Sequence, residues 1–212
     1  MHIFLIRHGE SIANNGSNYV ERIPDHLVEL SDLGKQQSRE AGIWLAQYCK
    51  EQNIAFDNAK IWRSPYLRTR QTSEEFNLSL KISNIKEEIS LIEQQFGLFD
   101  CISDEQRKKL FPKEYEEYQR QRQNNGRLYA KLPQGESPFD VAIRIQQFIE
   151  ILHRDYQSGI DTFFVFTHGT ALRAFLLRYF NYSTEWFEEE RNPKNCWIRE
   201  IKDHKDCGYI NL

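Results

Sequence analysis

Residues 3–10 read "IFLIRHGE", four apolar residues followed without transition by Arg7, His8, Gly9 and Glu10. A short run rich in branched side chains and bounded by glycine reads as a buried strand, so the polar residues fall where that strand ends. The pattern recurs at 163–170 as "FFVFTHGT", again an apolar run, a polar residue, His and Gly. Ligands in open α/β sheets bind beyond the carboxyl ends of the strands, which predicts that His8 and His168 meet there.

Between these runs the periodicity changes. From Lys35 to Cys49 the apolar positions Ala41, Trp44, Leu45, Tyr48 and Cys49 follow helical spacing. "AKIW" at 59–62 is a second short strand, and Ser64 followed by Pro65 reads as a helix cap and first helical residue. Val141, Ile145, Phe148, Ile149 and Leu152 mark another helical face, with Ser137 as its cap and Pro138 as its first residue. "ALRAFLLRYF" at 171–180 is a largely buried helix and "CWIREI" at 196–201 a last strand. Strands alternating with helices predict an α/β fold, a sheet with helices on both faces. The stretch 104–127, dense in Lys, Arg, Glu and Gln and broken by Pro112, reads as a polar helical insertion. Tyr115 and Tyr118 give it one semi-apolar side, which leaves open both a lid over the site and a plain solvated hairpin.

With 212 residues and 40% hydrophobic content the chain fits a single domain with an inserted helical segment. A net charge of -3 supplies no basic footprint for nucleic acid or an anionic membrane. No apolar run approaches the roughly 20 residues of a membrane span, and the first strand starts at His2 without a signal-peptide n-region, so a cytoplasmic protein is expected. Cys49, Cys101, Cys196 and Cys207 are scattered, and Cys196, His204 and Cys207 lack the paired spacing of a zinc site. No cofactor or metal is expected.

Each His is followed by Gly, which permits close backbone approach and positive φ. Arg7 beside His8 disfavours an imidazolium and leaves a neutral ring with a lone pair free to attack. Arginine also offers paired donors matched to phosphate, and "RSPYLRTRQT" places Arg68 near a helix N-terminus that favours anions. Arg63 and Arg70 flank it and read as surface residues. Two arginines, two histidines and a helix end make a phosphate pocket, and fixed positive charge there argues against a dication. A proton donor is still needed. Glu93 lies between apolar residues in "LIEQQFG", where partial burial favours a protonated acid, but spacing alone does not separate it from Glu87, Glu88 or Glu136.

With these pieces assembled, the chain resembles the histidine phosphatase superfamily, the phosphoglycerate mutase-like fold. The matching segments are "RHGES" with Asn14 beyond Ser11, "LSDLGKQQ" at 30–37, "SPYLRTRQT" at 64–72, "IEQQFG" at 92–97, "GES" at 135–137 and "THGT" at 167–170. The resemblance implies a three-layer α/β/α sandwich with a mostly parallel central sheet, one domain over residues 1–212, and a helical insertion or lid over about 100–132. It implies His8 as a phosphorylated nucleophile, Glu93 as proton donor, and Arg7, Arg68 and His168 as phosphate-pocket residues. Asn14, Ser11, Gly169 and Thr170 are implied as phosphate- or substrate-binding positions. The implied activity is a metal-independent phosphomonoesterase acting on a small phosphorylated metabolite, with a homodimer left open. "EQQFGLFD" replaces the mutase type of segment and paired arginines in the mutase context are absent, although Arg120 and Arg122 lie in the insertion, so a phosphatase is favoured over a phosphomutase. The non-enzymatic alternative is a phospho-ligand binding protein built on the same pocket.

Overall fold

The computed structural model of the chain describes residues 1–13 and 23–211. Strand β1 (His2–Arg7) is followed by helix α1 (Asp32–Glu51), β2 (Ala59–Arg63), α2 (Leu67–Leu80) and β3 (Ile85–Glu87). Next come α3 (Asp104–Leu110), α4 (Pro112–Tyr129), α5 (Pro138–Gln157), β4 (Thr162–Thr167) and α6 (Gly169–Tyr179). The described chain closes with α7 (Thr184–Glu189), β5 (Ile198–Lys202) and β6 (Lys205–Tyr209). The strands form one sheet in the order β3-β2-β4-β1-β5-β6, parallel from β3 to β1 and antiparallel from β1 to β6.

Every second residue of a strand faces the same side, so the apolar runs feed two cores at once. On one face Ile3, Leu5, Phe163 and Val165 pack with Val141, Ile145 and Phe148 of α5 and Leu172 and Phe175 of α6. On the other, Phe4, Ile6, Phe164 and Phe166 pack with Leu45 of α1 and Phe76 and Leu80 of α2. This is the expected α/β/α sandwich. It also fixes where a ligand can sit: neighbouring strands β1 and β4 send their following helices to opposite faces, which opens a crevice at their carboxyl ends.

Of the two predicted caps, Ser137 holds and Ser64 fails, while α1 takes a cap, Ser31, that was not predicted. Ser31 accepts from the Gly34 amide at α1, and Ser137 forms a reciprocal capping box with Asp140 ahead of Pro138. Ser64 caps nothing, because α2 starts at Leu67 with Tyr66 as its flanking residue. A residue before proline is held extended, so Ser64-Pro65 prolongs the turn and the helix begins only beyond it. Ser64 is thereby left to face the site.

The polar stretch forms α3 and α4, with Pro112 opening the latter and Gly126 at φ 80 interrupting it. Its semi-apolar side packs on the buried Phe99, whose ring lies 6.3 Å from Tyr115 and 5.8 Å from Tyr118. Between α4 and the following loop is a cavity of about 390 Å³ lined by Lys113, Glu117, Tyr118, Lys131 and Pro133 among others, none of them an expected site residue.

Candidate active site

Backbone pairing delivers the two histidines together. Arg7 of β1 is level with Thr167 of β4, and the next residue in each chain is histidine. The His8 amide donates to the Thr167 carbonyl at 3.1 Å, and the imidazoles meet edge to face with centroids 5.1 Å apart. From the far side Asn195 Nδ2 and the Cys196 amide donate to the His8 carbonyl at 3.0 and 3.3 Å, clamping the strand end.

The glycines serve close approach and not positive φ, which neither adopts. A Cβ on Gly9 would lie 2.5 Å from the Gly34 carbonyl and 2.6 Å from Ser38 Oγ, so glycine is what lets the His8 turn seat against α1. A Cβ on Gly169 would lie 3.1 Å from the Asn192 side chain. The Gly9 amide donates to Thr72 Oγ1 on α2 at 3.0 Å, tying the turn to the helix that carries Arg68.

His8 is buried, and its Nδ1 lies 2.7 Å from the Gly9 carbonyl. A carbonyl only accepts, so Nδ1 carries the proton and Nε2 keeps its lone pair. Burial above all, then the charges of Arg68 and Arg7, hold the His8 pKa well below its ordinary value. The pKa of His168, fully buried, is likewise held well below its ordinary value, by burial first and then by Arg68, His8, Arg144 and Arg7. Its Nε2 is 3.0 Å from Ser64 Oγ, and its Nδ1 is buried with no hydrogen-bond partner among the described residues.

Arg7 donates through Nη1 to the Pro193 carbonyl and leaves a buried Nε without a partner among the described residues. Burial lowers its pKa, opposed by the Glu93 charge. Arg68, in the first turn of α2, lies over the Tyr66 ring at 4.9 Å and donates to Asp25. Arg63 and Arg70 instead pair with Glu87 at the surface, as expected of them.

Geometry separates the four candidate acids. Glu87 is held by Arg63 and Arg70; Glu88 accepts from Ser90; Glu136 is bound by Arg144 and by the Gln95 amide. Glu93 alone reaches the second histidine turn, accepting from the Thr170 amide at 3.4 Å and from the Gln94 amide at 2.8 Å. The Thr170 amide, read as a pocket donor, therefore orients Glu93. Ser11 is buried and its backbone bridges Leu30; Asn14 lies outside the described residues.

Several residues here escaped the sequence reading. Arg144 of α5 donates to the carbonyls of Ser90, Ile92 and Glu93 and to Glu136, which makes "GES" at 135–137 the anchor of the Glu93 loop. Tyr66 packs on His168 with centroids 5.2 Å apart and accepts from Gln95 Nε2 at 2.7 Å. Asp25 and Asn195 carried no signal at all. Tyr66 stood inside a quoted motif and could have been found there. His204 and Cys196 take separate partners, Tyr179 and Ser38, and among the described residues no three His, Cys, Asp or Glu side chains are grouped to hold a metal ion. Among them, too, no helix is long and apolar enough to cross a membrane.

A family model described as "Histidine phosphatase superfamily (branch 1)" matches residues 3–211. The chain belongs to this superfamily. Among curated histidine phosphatase relatives it is 33% identical to "Phosphoglycerate mutase-like protein AT74" of Arabidopsis thaliana, over 94% of this chain and 64% of that protein. It thus spans a little under two thirds of that relative's length. It is 24% identical to "Broad-range acid phosphatase DET1" of Saccharomyces cerevisiae, over 91% of this chain and 82% of that one. Among solved structures, the alpha-ribazole phosphatase of Shigella flexneri superimposes with a TM-score of 0.77 at 20% identity, covering all of this chain and 96% of the other.

Proposed function

We propose that the chain is a phosphomonoesterase that works through a phosphohistidine on His8 and needs no metal ion. The observation that carries this is the joint placement of a neutral imidazole with an uncommitted Nε2, a second imidazole, two arginines and a carboxylate on one crevice. In the first step the His8 Nε2 lone pair forms the bond to phosphorus as the bond to the alcohol oxygen breaks. Arg7, Arg68 and His168 offset charge on the phosphoryl oxygens, and Glu93 gives its proton to the leaving alcohol. In the second step Glu93 takes a proton from water, whose oxygen attacks phosphorus and releases His8. The fixed cations do the work a dication would do elsewhere.

The phosphomutase reading draws on the name of the Arabidopsis relative. Arg120 and Arg122, the pair considered for it, are engaged within α4, Arg120 with Glu117 and Arg122 over the Tyr118 ring at 5.9 Å. The phosphatase names of the yeast relative and the Shigella structure favour hydrolysis. The substrate we propose is a small phosphorylated metabolite. Steady-state hydrolysis of p-nitrophenyl phosphate in excess EDTA tests the reading. Turnover that survives chelation and is lost in His8→Ala supports it; absence of turnover on a panel of phosphomonoesters, or turnover unchanged in His8→Ala, removes it.

A further inference from the structure

Arg68 is the pocket arginine with the most exacting partner. Its Nη1 donates to Asp25 Oδ1 at 2.8 Å and to the Asp25 carbonyl at 2.7 Å, while Nη2 lies 3.3 Å from Oδ2. Two terminal nitrogens on two carboxylate oxygens is the paired geometry by which arginine takes phosphate. Among the described residues these nitrogens have no other acceptor. The Arg68 side chain is 7% exposed and that of Asp25 is 24% exposed, so the carboxylate covers the fork from the solvent side. Asp25 opens a short 3-10 turn, Asp25–Leu27, that is pinned downstream by the buried Val28 and Leu30 and by Gln71 Oε1 accepting from the Leu30 amide.

We propose that Asp25 is a specificity-determining residue: its carboxylate occupies the phosphate fork of Arg68 in the resting chain, and a substrate must replace it there to bind. This rests on the phosphomonoesterase reading and adds to it the basis on which the pocket chooses its anion. A carboxylate and a phosphate dianion cannot share one fork, since like charges in contact cost far more than either gains. An incoming carboxylate only exchanges one singly charged group for another and gains nothing against an intramolecular competitor. A phosphate dianion brings a second charge and further oxygens for Arg7 and His168, and so wins the exchange. Substrates are accordingly selected at the phosphoryl group, and carboxylates are excluded.

The test compares wild type with Asp25→Asn, Asp25→Ala and Arg68→Ala. Inorganic phosphate binding is read by calorimetry and acetate inhibition by p-nitrophenyl phosphate turnover. Asp25 sits on an exposed turn, and a melt of each variant confirms that it is folded. Both Asp25 variants are expected to bind phosphate about tenfold tighter than wild type, the size of one charge-assisted pair removed. Acetate is expected to refill the fork in Asp25→Ala, inhibiting it competitively at concentrations that leave wild type unaffected. Phosphate binding that is lost in Arg68→Ala but unchanged or weaker in the Asp25 variants overturns this proposal alone and makes Asp25 a support for Arg68. Absence of phosphate binding in wild type overturns the phosphatase reading along with it.

Discussion

Replacing Arg144 by leucine should cut the Glu93 loop from the helix that holds it. Arg144 donates to Ile92 O at 2.8 Å, Glu93 O at 3.0 Å, Ser90 O, and both Glu136 oxygens at 3.0 and 3.1 Å, with its side chain 17% exposed. Breaking a buried charged pair costs roughly 3–5 kcal/mol. The lower end applies here, because Glu136 still accepts from the Gln95 amide and is itself partly exposed. A loss of about 3 kcal/mol lowers Tm by roughly 6–12 °C in a chain of this length. The catalytic loss should depend on the leaving group. A misplacement of the proton donor by about 1 Å costs on the order of 100-fold, and this applies to kcat/KM for glycerol phosphate, whose alkoxide cannot leave unprotonated. The p-nitrophenolate anion leaves without a proton, so the same variant should lose far less on p-nitrophenyl phosphate. The assay is kcat/KM on both substrates well below the variant's Tm. Equal losses on the two would refute the role of Glu93 as proton donor, and no loss on either while Tm falls would refute its support by Arg144.

Two further outcomes follow from burial. His8 and His168 have pKa values well below 6.5 in the folded chain and near 6.5 when unfolded, so below that pH the unfolded state binds more protons. Stability should then fall as pH drops from about 6.5, by up to roughly 1.4 kcal/mol per pH unit for each histidine, and a His8→Asn, His168→Asn double variant should lose that slope in urea melts. The nucleophile limb of kcat/KM should stay flat through pH 6.5 for the same reason. Gly9→Ala would put a methyl 2.5 Å from the Gly34 carbonyl, where Gly34 in turn has no room for a Cβ against Glu10, so neither backbone can yield. An overpacking loss of roughly 1–3 kcal/mol is expected by thermal melt, together with reduced activity from the displaced His8.

How much of this could be read from the chain depended on whether the cause was local. The two His-Gly turns were legible because apolar runs ending in polar residues mark strand ends, and the parallel register then brought them level. The helical stripe from Lys35 to Cys49, which lies inside the observed Asp32–Glu51, and the cap at Ser137 depend on neighbours within a turn, whereas the cap at Ser31 lay ahead of the stripe and was not read. Ser64 misled because its proline delays the helix by the same stiffness that elsewhere starts one. The β5–β6 hairpin was missed because Asp203 and His204 take positive φ without the glycine that advertises such a turn. Glu93 could not be chosen over its neighbours because the deciding contact, the Thr170 amide, lies far along the chain. Arg144 and Asp25 act on residues about fifty and forty positions away, distances over which sequence pattern carries no geometry.

The account stands on His8 as the atom that takes the phosphoryl group. Rapid-quench mixing of the enzyme with a phosphomonoester in EDTA, followed by peptide mass mapping under basic conditions that preserve phosphoramidates, reads this directly. The account predicts a phosphorylated peptide containing His8 that forms and decays within a turnover, is acid-labile, and is absent from His8→Ala. Turnover with an unmodified His8 at every time point, or phosphate on any other residue, would contradict it.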